Sequence, residues 1–205
     1  MPIERLTPDR RRAMTRQHLL AAAAEVFARR GYAAATLDEV AERAGFSKGA
    51  VYSNFSNKED LFLGLMQEQA ATLVDRFEAA PDDVAGLRDV YAGATPDERA
   101  DSWALSIEFT LYALRRPELR GALQAANQSI HQRVVTLVEA QCREAGITPP
   151  LSVGALARLY IAVFSGLWQQ QVVDPDGVDD DAFPNAVLFL RNAIEALGQP
   201  GTASS

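Results

Sequence analysis

The 205-residue chain has one cysteine, Cys142, and two histidines, His18 and His131. A single thiol forms no intramolecular disulfide and no cysteine-based zinc site. Two histidines this far apart make neither a histidine-rich metal site nor an acid–base pair. Ser-His-Asp, Cys-His and phosphate-loop arrangements are missing as well, so an enzyme reading has no residues to carry it. The acidic stretch DPDGVDDD fails the calcium-loop pattern: no glycine follows the third ligand position and no glutamate closes it. No metal or cofactor is expected. Long apolar runs are also scarce. The most apolar stretch, LARLYIAVFSGLW, is too short to span a bilayer and contains Arg158. The N-terminus is charged, without an apolar run and cleavage site, so no secretory leader is expected. A reducing cytoplasm fits these absences, with no membrane partner.

What remains is an ordinary globular composition, 48% hydrophobic and 23% charged. A formal charge of −7 speaks against a nucleic-acid partner until its distribution is considered. Residues 1–60 carry 10 basic and 8 acidic side chains; the other 145 carry 10 and 19. Within residues 1–30 the count is 7 against 3. The chain therefore presents a basic end on an acidic body, suited to meeting phosphate with that end.

Apolar residues recur every three or four positions throughout, with no convincing alternating strand, which predicts an all-α fold. A first helix is expected from about Arg12 to Arg30, with Leu19, Ala23, Val26 and Phe27 on its stripe and Gly31 as its stop. Thr36 and Glu39 form a capping box for a second, which Gly45 ends. Ser47 caps a short third helix ending near Phe55, and Asn57 opens a longer fourth that ends before Pro81. Further helices are predicted over Val84–Tyr91, Pro96–Arg115, Pro117–Gly146, Ser152–Val173 and Phe183–Leu197. These divide into a domain of residues 1–56, a helical domain of 57–198 and a disordered tail of 199–205.

The tight turn Gly45-Phe46-Ser47 between two short helices is a helix-turn-helix candidate. In the third helix only Val51 and Phe55 need burial. Lys48, Gly49, Ala50, Tyr52, Ser53 and Asn54 are small, polar or hydrogen-bonding, a poor surface for packing and a suitable one for the major groove. Thr36 opens a helix whose free N–H groups favour an anion. Lys58 stands in a first helical turn, where the macrodipole gives a cation no reason to be, so an outside negative group is expected. The run Arg10, Arg11, Arg12 and Arg16 follows DNA or forms a frayed, solvated tail.

The stretch GYAAATLDEVAERAGFSKGAVYSNFSNKEDLF resembles the DNA-binding domain of the TetR family of regulators, over roughly residues 12–62. Carrying the likeness are Phe27 and Gly31, Thr36, the Val40-Ala41 and Ala44-Gly45 pairs, Ser47-Lys48-Gly49, Val51-Tyr52, Phe55, and Lys58 with Leu61. The resemblance implies a homodimer that grips a palindromic operator through Thr36, Ser47, Lys48, Gly49, Ala50, Tyr52, Ser53, Asn54 and Lys58. Asn54 departs from the histidine or large aromatic common there, which bears on operator preference. Beyond residue 62 the likeness is one of size and helicity.

The resemblance also implies a small-molecule effector pocket, for which Trp103, Glu108, Phe109, Tyr112, Phe164, Trp168 and Gln169 are candidates; bundle core is the competing role. The last two helices carry more apolar surface than one pair can bury. They are expected to pair with their copies through Leu156, Tyr160, Val163, Leu167, Val187, Leu190 and Ile194. The function this implies is repression relieved by an effector. An activator or effector-independent regulator of the same type is the alternative. A helical protein–protein adaptor is the rival of another class, and it leaves the polar third helix unexplained.

Overall fold

The computed structural model describes residues 7–80, 83–91, 93 and 95–200. Among them are nine helices: α1 (Pro8–Ala34), α2 (Leu37–Ala44), α3 (Lys48–Asn54), α4 (Lys58–Ala79), α5 (Val84–Tyr91), α6 (Pro96–Leu114), α7 (Pro117–Glu144), α8 (Val153–Val173) and α9 (Ala182–Leu197). The all-α expectation holds. One small addition is a two-residue antiparallel pair, β1 (Ile147–Thr148) with β2 (Gln199–Pro200). Gln199 and Pro200 were expected to begin a disordered tail and instead pair with β1; residues 201–205 lie outside the described residues.

The chain forms two compact units, one holding the residues up to Glu68 together with Ala104–Leu123, the other Gln69–Trp103 and the residues after Leu123. Helices α4, α6 and α7 each contribute residues to both.

In the first unit, α1 begins earlier than expected, because Thr7 caps it, accepting from the Arg10 amide at 3.3 Å, and Pro8 starts its first turn. The helix carries Leu19, Ala23, Val26 and Phe27 into the core, all 2% exposed or less. Gly31 breaks it with φ +72, and one further turn follows to Ala34. A ring cluster joins α1 to α4 and α6: Phe62 stacks on Phe109 at 4.2 Å, and Tyr32 meets Phe62, Phe109 and Tyr112 edge-on at 4.9 to 5.2 Å. Each fully buried ring contributes about 1.5–3 kcal/mol from area alone, so this cluster is the main anchor of the N-terminal helices.

The second unit has two apolar centres. Leu87, Phe183 and Val187 gather Phe77, Phe164 and Trp168, while Val138, Cys142, Leu156 and Ile194 form the other. The loop before α9 is an acidic turn, as expected, and Arg88 of α5 holds Asp181 there with two hydrogen bonds of 2.5 Å. The described residues contain no metal-ligand cluster, and none of their helices is long and apolar enough to cross a membrane.

Candidate nucleic-acid interface

The corner between α2 and α3 is built from local chemistry. The Thr36 hydroxyl accepts from the Glu39 amide at 3.2 Å, and the Glu39 carboxylate accepts from the Thr36 amide at 3.0 Å. Those bonds, with Arg30 at 3.1 Å, hold Glu39 below the usual carboxylate range. The box therefore adds stability above the unfolded carboxylate's pKa and loses it as pH falls through the lowered one. Gly45 takes the left-handed conformation that ends α2, and Ser47 caps α3 by accepting from the Ala50 amide at 3.2 Å.

Two apolar residues anchor α3: Val51 is fully buried and Phe55 is 1% exposed. The rest of the helix faces outward. Ser47, Lys48, Gly49, Tyr52 and Ser53 are exposed, Tyr52 at 58%, while Ala50 and Asn54 are half-buried. Lys48 is ion-paired with Asp38 of α2, which raises its pKa by hydrogen bond and charge. Both partners remain more than half exposed, so the pair adds little to stability and Lys48 stays exchangeable. Asn54 is partly committed, its side-chain amide donating to the Ala50 carbonyl at 2.8 Å.

The arginine run takes two courses. Arg12 donates to the Ser53 carbonyl at 3.2 Å and Arg16 to the Asn54 carbonyl at 3.4 Å, with the Arg16 guanidinium 4.3 Å over the Phe55 ring. These cations satisfy the carbonyl end of α3. Arg10 and Arg11 are exposed on the same end of α1.

Lys58 is placed differently from its sequence reading. Its ammonium donates to the carbonyls of Tyr32, Ala33 and Ala35 at 2.8, 3.0 and 3.0 Å and lies 4.6 Å over the Tyr32 ring. The negative partner sought outside the chain is therefore met within it: three carbonyl oxygens accept the three protons of the ammonium.

The expected pocket residues do not come together. Phe109 is core of the first unit, 2% exposed. Glu108 accepts from the amides of Tyr32 and Ala33, both at 2.9 Å. Tyr112 donates to Glu59 at 3.0 Å. In the second unit Phe164 and Trp168 pack in an apolar centre, the Trp168 indole donates to the Arg99 carbonyl at 3.3 Å, Trp103 is half-buried and Gln169 exposed. That unit instead holds a cavity of about 240 Å³ lined by Val138, Cys142, Ile147, Tyr160, Arg191 and Ile194, among others. Its walls come from the end of α7, β1, α8 and α9, a convergence that periodicity along single helices does not reveal. Burial pushes the Cys142 thiol up, away from thiolate chemistry.

The expected seam residues divide likewise. Leu156, Val187 and Ile194 are 2%, 7% and 8% exposed within the single chain, so they face its own core. Tyr160, Val163, Leu167 and Leu190 are half-buried. The apolar side chains that α8 and α9 do leave outside are Leu159, Val173, Phe189 and Leu197, the last three at 68 to 71%.

The Tyr32 hydroxyl stands out. The residue is fully buried, and among the described residues no acceptor meets its hydroxyl in hydrogen-bond geometry. Burial first, then the charge of Glu59, pushes its pKa well above the ordinary tyrosine value. An unpaired buried hydroxyl contributes no stability. Replacing Tyr32 by Phe is expected to leave stability unchanged or raise it by up to about 1 kcal/mol in a denaturant titration. A loss beyond that would show that the hydroxyl has a partner.

Comparison with known proteins bears on both halves of the chain. Residues 19–65 match the family of bacterial regulatory proteins, tetR family, and residues 84–197 match the BetI-type transcriptional repressor C-terminal family. The HTH-type transcriptional activator FasR of Mycolicibacterium smegmatis is 32% identical over 147 residues, 70% of this chain and 64% of that one. The HTH-type transcriptional repressor AcnR of Corynebacterium diphtheriae is 37% identical over 124 residues, 60% of each. The matched part of the chain thus spans less than two thirds of these relatives. Among solved structures, Thermus thermophilus FadR, a transcriptional repressor in complex with lauroyl-CoA, superposes with a TM-score of 0.56 at 18% identity. That match covers 93% of this chain and 99% of FadR.

Proposed function

This chain belongs to the TetR family of bacterial regulatory proteins, and from that premise we propose that it is a cytoplasmic, sequence-specific transcriptional repressor acting as a homodimer on a near-palindromic operator. The observation that carries this reading is α3. Two buried residues fix the helix, and its outward face keeps Lys48, Tyr52 and Ser53 exposed beside small Gly49. A surface of that kind has no packing role, and its donors, acceptors and small residues suit base edges in a major groove. Thr36, Ser47, Ala50 and Asn54 flank it. An adaptor would require no such face.

Relatives act with both signs, FasR as an activator and AcnR as a repressor. The match of residues 84–197 to the BetI-type repressor family favours repression. Release by an effector follows only if the effector binds the two states of the dimer unequally. The second unit's cavity is smaller than the roughly 300–1,000 Å³ of drug-sized ligand sites, so the effector we assign to it is compact.

The test is footprinting of the DNA flanking the chain's own gene, followed by titration at several salt concentrations. A protected inverted repeat is expected, with log affinity falling linearly in log salt. Uniform protection with a shallow slope would remove the operator reading.

A further inference from the structure

Five hydrogen bonds from two distant helices converge on the segment linking α1 to α2. Glu108 of α6 accepts from the amides of Tyr32 and Ala33, one carboxylate oxygen each, at 2.9 Å. Lys58 of α4 donates to the carbonyls of Tyr32, Ala33 and Ala35. The segment is thus gripped by its N–H groups from one side chain and by its C=O groups from the other. Charged partners make these among the stronger hydrogen bonds available to a backbone. Gly31 is shaped to the grip: its φ is +72, and a Cβ there would stand 3.1 Å from the Glu108 carboxylate. One residue beyond Ala35 the Thr36 capping box starts α2. Both α4 and α6 continue from this unit into the other. The only side chains they send to this joint with charge are therefore attached to the helices that leave it.

We propose that Glu108, with Lys58 opposite, is a positioning residue for operator binding: it fixes the α1–α2 joint to α6 and thereby sets the distance between half-sites that the dimer accepts. The inference rests on the operator reading above and deepens it. Glu108 touches no DNA in this account. Its effect is on the placement of α2 and α3 as a body, not on the contacts that α3 makes. Packing cannot supply this restraint alone, because rings tolerate small rotations that a two-oxygen grip on consecutive amides does not.

The experiment uses the full chain and its footprinted operator, remade with half-sites one and two base pairs closer or farther apart. Wild type is expected to prefer the native spacing by about tenfold or more, and Glu108→Ala by less than about threefold, with affinity for an isolated half-site unchanged. Glu108→Gln retains one acceptor oxygen and is expected to recover part of the preference. Wild-type discrimination in Glu108→Ala overturns the proposal. So does an equal loss on isolated half-sites and on every spacing, which is what a merely structural role predicts. Should wild type bind no operator at all, the regulator reading fails and this proposal separates from it. Amide exchange at Tyr32 and Ala33 must then accelerate in Glu108→Ala while the other core amides keep their protection; unchanged exchange at those two amides would dismiss the grip itself.

Discussion

Replacing Lys48 and Tyr52 together by alanine is expected to lower operator affinity by about a hundredfold, at roughly 1–3 kcal/mol per lost contact, while the melting curve hardly moves. The two halves of this result have separate causes. Tyr52 is 58% exposed and Lys48 is paired with an equally solvated Asp38, so neither side chain supports the fold. Their removal leaves Val51 and Phe55 in place, and with them the attachment of α3 to the core. Binding, by contrast, loses a cation and an aromatic hydroxyl from the centre of the presented face. The salt dependence separates their roles. If Lys48 meets phosphate, the single Lys48→Ala variant shows a slope shallower by about one counterion, whereas Tyr52→Ala keeps most of the wild-type slope. A double variant that binds its operator as wild type does would remove α3 from the interface. One that also melts earlier by many degrees would show that these side chains are structural.

The parts of this molecule that were legible in the sequence are those whose causes are local. The capping box of Thr36 with Glu39, the left-handed Gly45 and the Ser47 cap are each decided within four residues, and all three form as expected. The same logic was available at the start of α1, where Thr7 precedes Pro8 and Asp9, an N-cap followed by a first-turn proline; weighing the arginines first hid it. Residues whose partners lie far along the chain were not legible. Glu108 grips amides 75 and 76 positions away, and Lys58 reaches carbonyls 23 to 26 positions back. Each had still left a signal. A cation in a first helical turn asks for a negative partner, and Lys58 found it in backbone oxygens rather than phosphate. A carboxylate on a stripe of Leu105, Phe109 and Tyr112 asks for donors, and Glu108 found them in a neighbouring backbone rather than in a ligand. In α8 and α9 the difficulty was of another kind. These helices are apolar on more than one side, so periodicity indicates how much must be buried without indicating which side faces the chain's own core. Leu156, Val187 and Ile194 took the inner role, and Leu159, Phe189 and Leu197 were left outside.

That outer set carries the second large effect. Phe189→Asp is expected to convert the dimer to single chains of 22.3 kDa in sedimentation, with the helical content and melting of the isolated chain preserved. Phe189 is 71% exposed in the single chain, so an aspartate there meets water and costs the monomer's fold little. In a two-fold interface one substitution appears twice. Each copy brings a carboxylate into a desolvated seam opposite the other, where it finds neither water nor a compensating cation. Leu197 lies eight residues on, near the same face of α9, and is 68% exposed, so the damaged patch would be continuous rather than a single contact. The consequence for DNA follows from effective concentration. A dimer binds its second half-site as an intramolecular step, and losing that linkage typically costs about 10²–10⁴ in affinity without touching α3. Phe189→Asp and the Lys48/Tyr52 pair should therefore weaken operator binding to a similar degree by opposite routes, the first sparing isolated half-site affinity and the second abolishing it. If Phe189→Asp remains a dimer, the seam runs elsewhere on the molecule and the exposed face of α8 and α9 has another use.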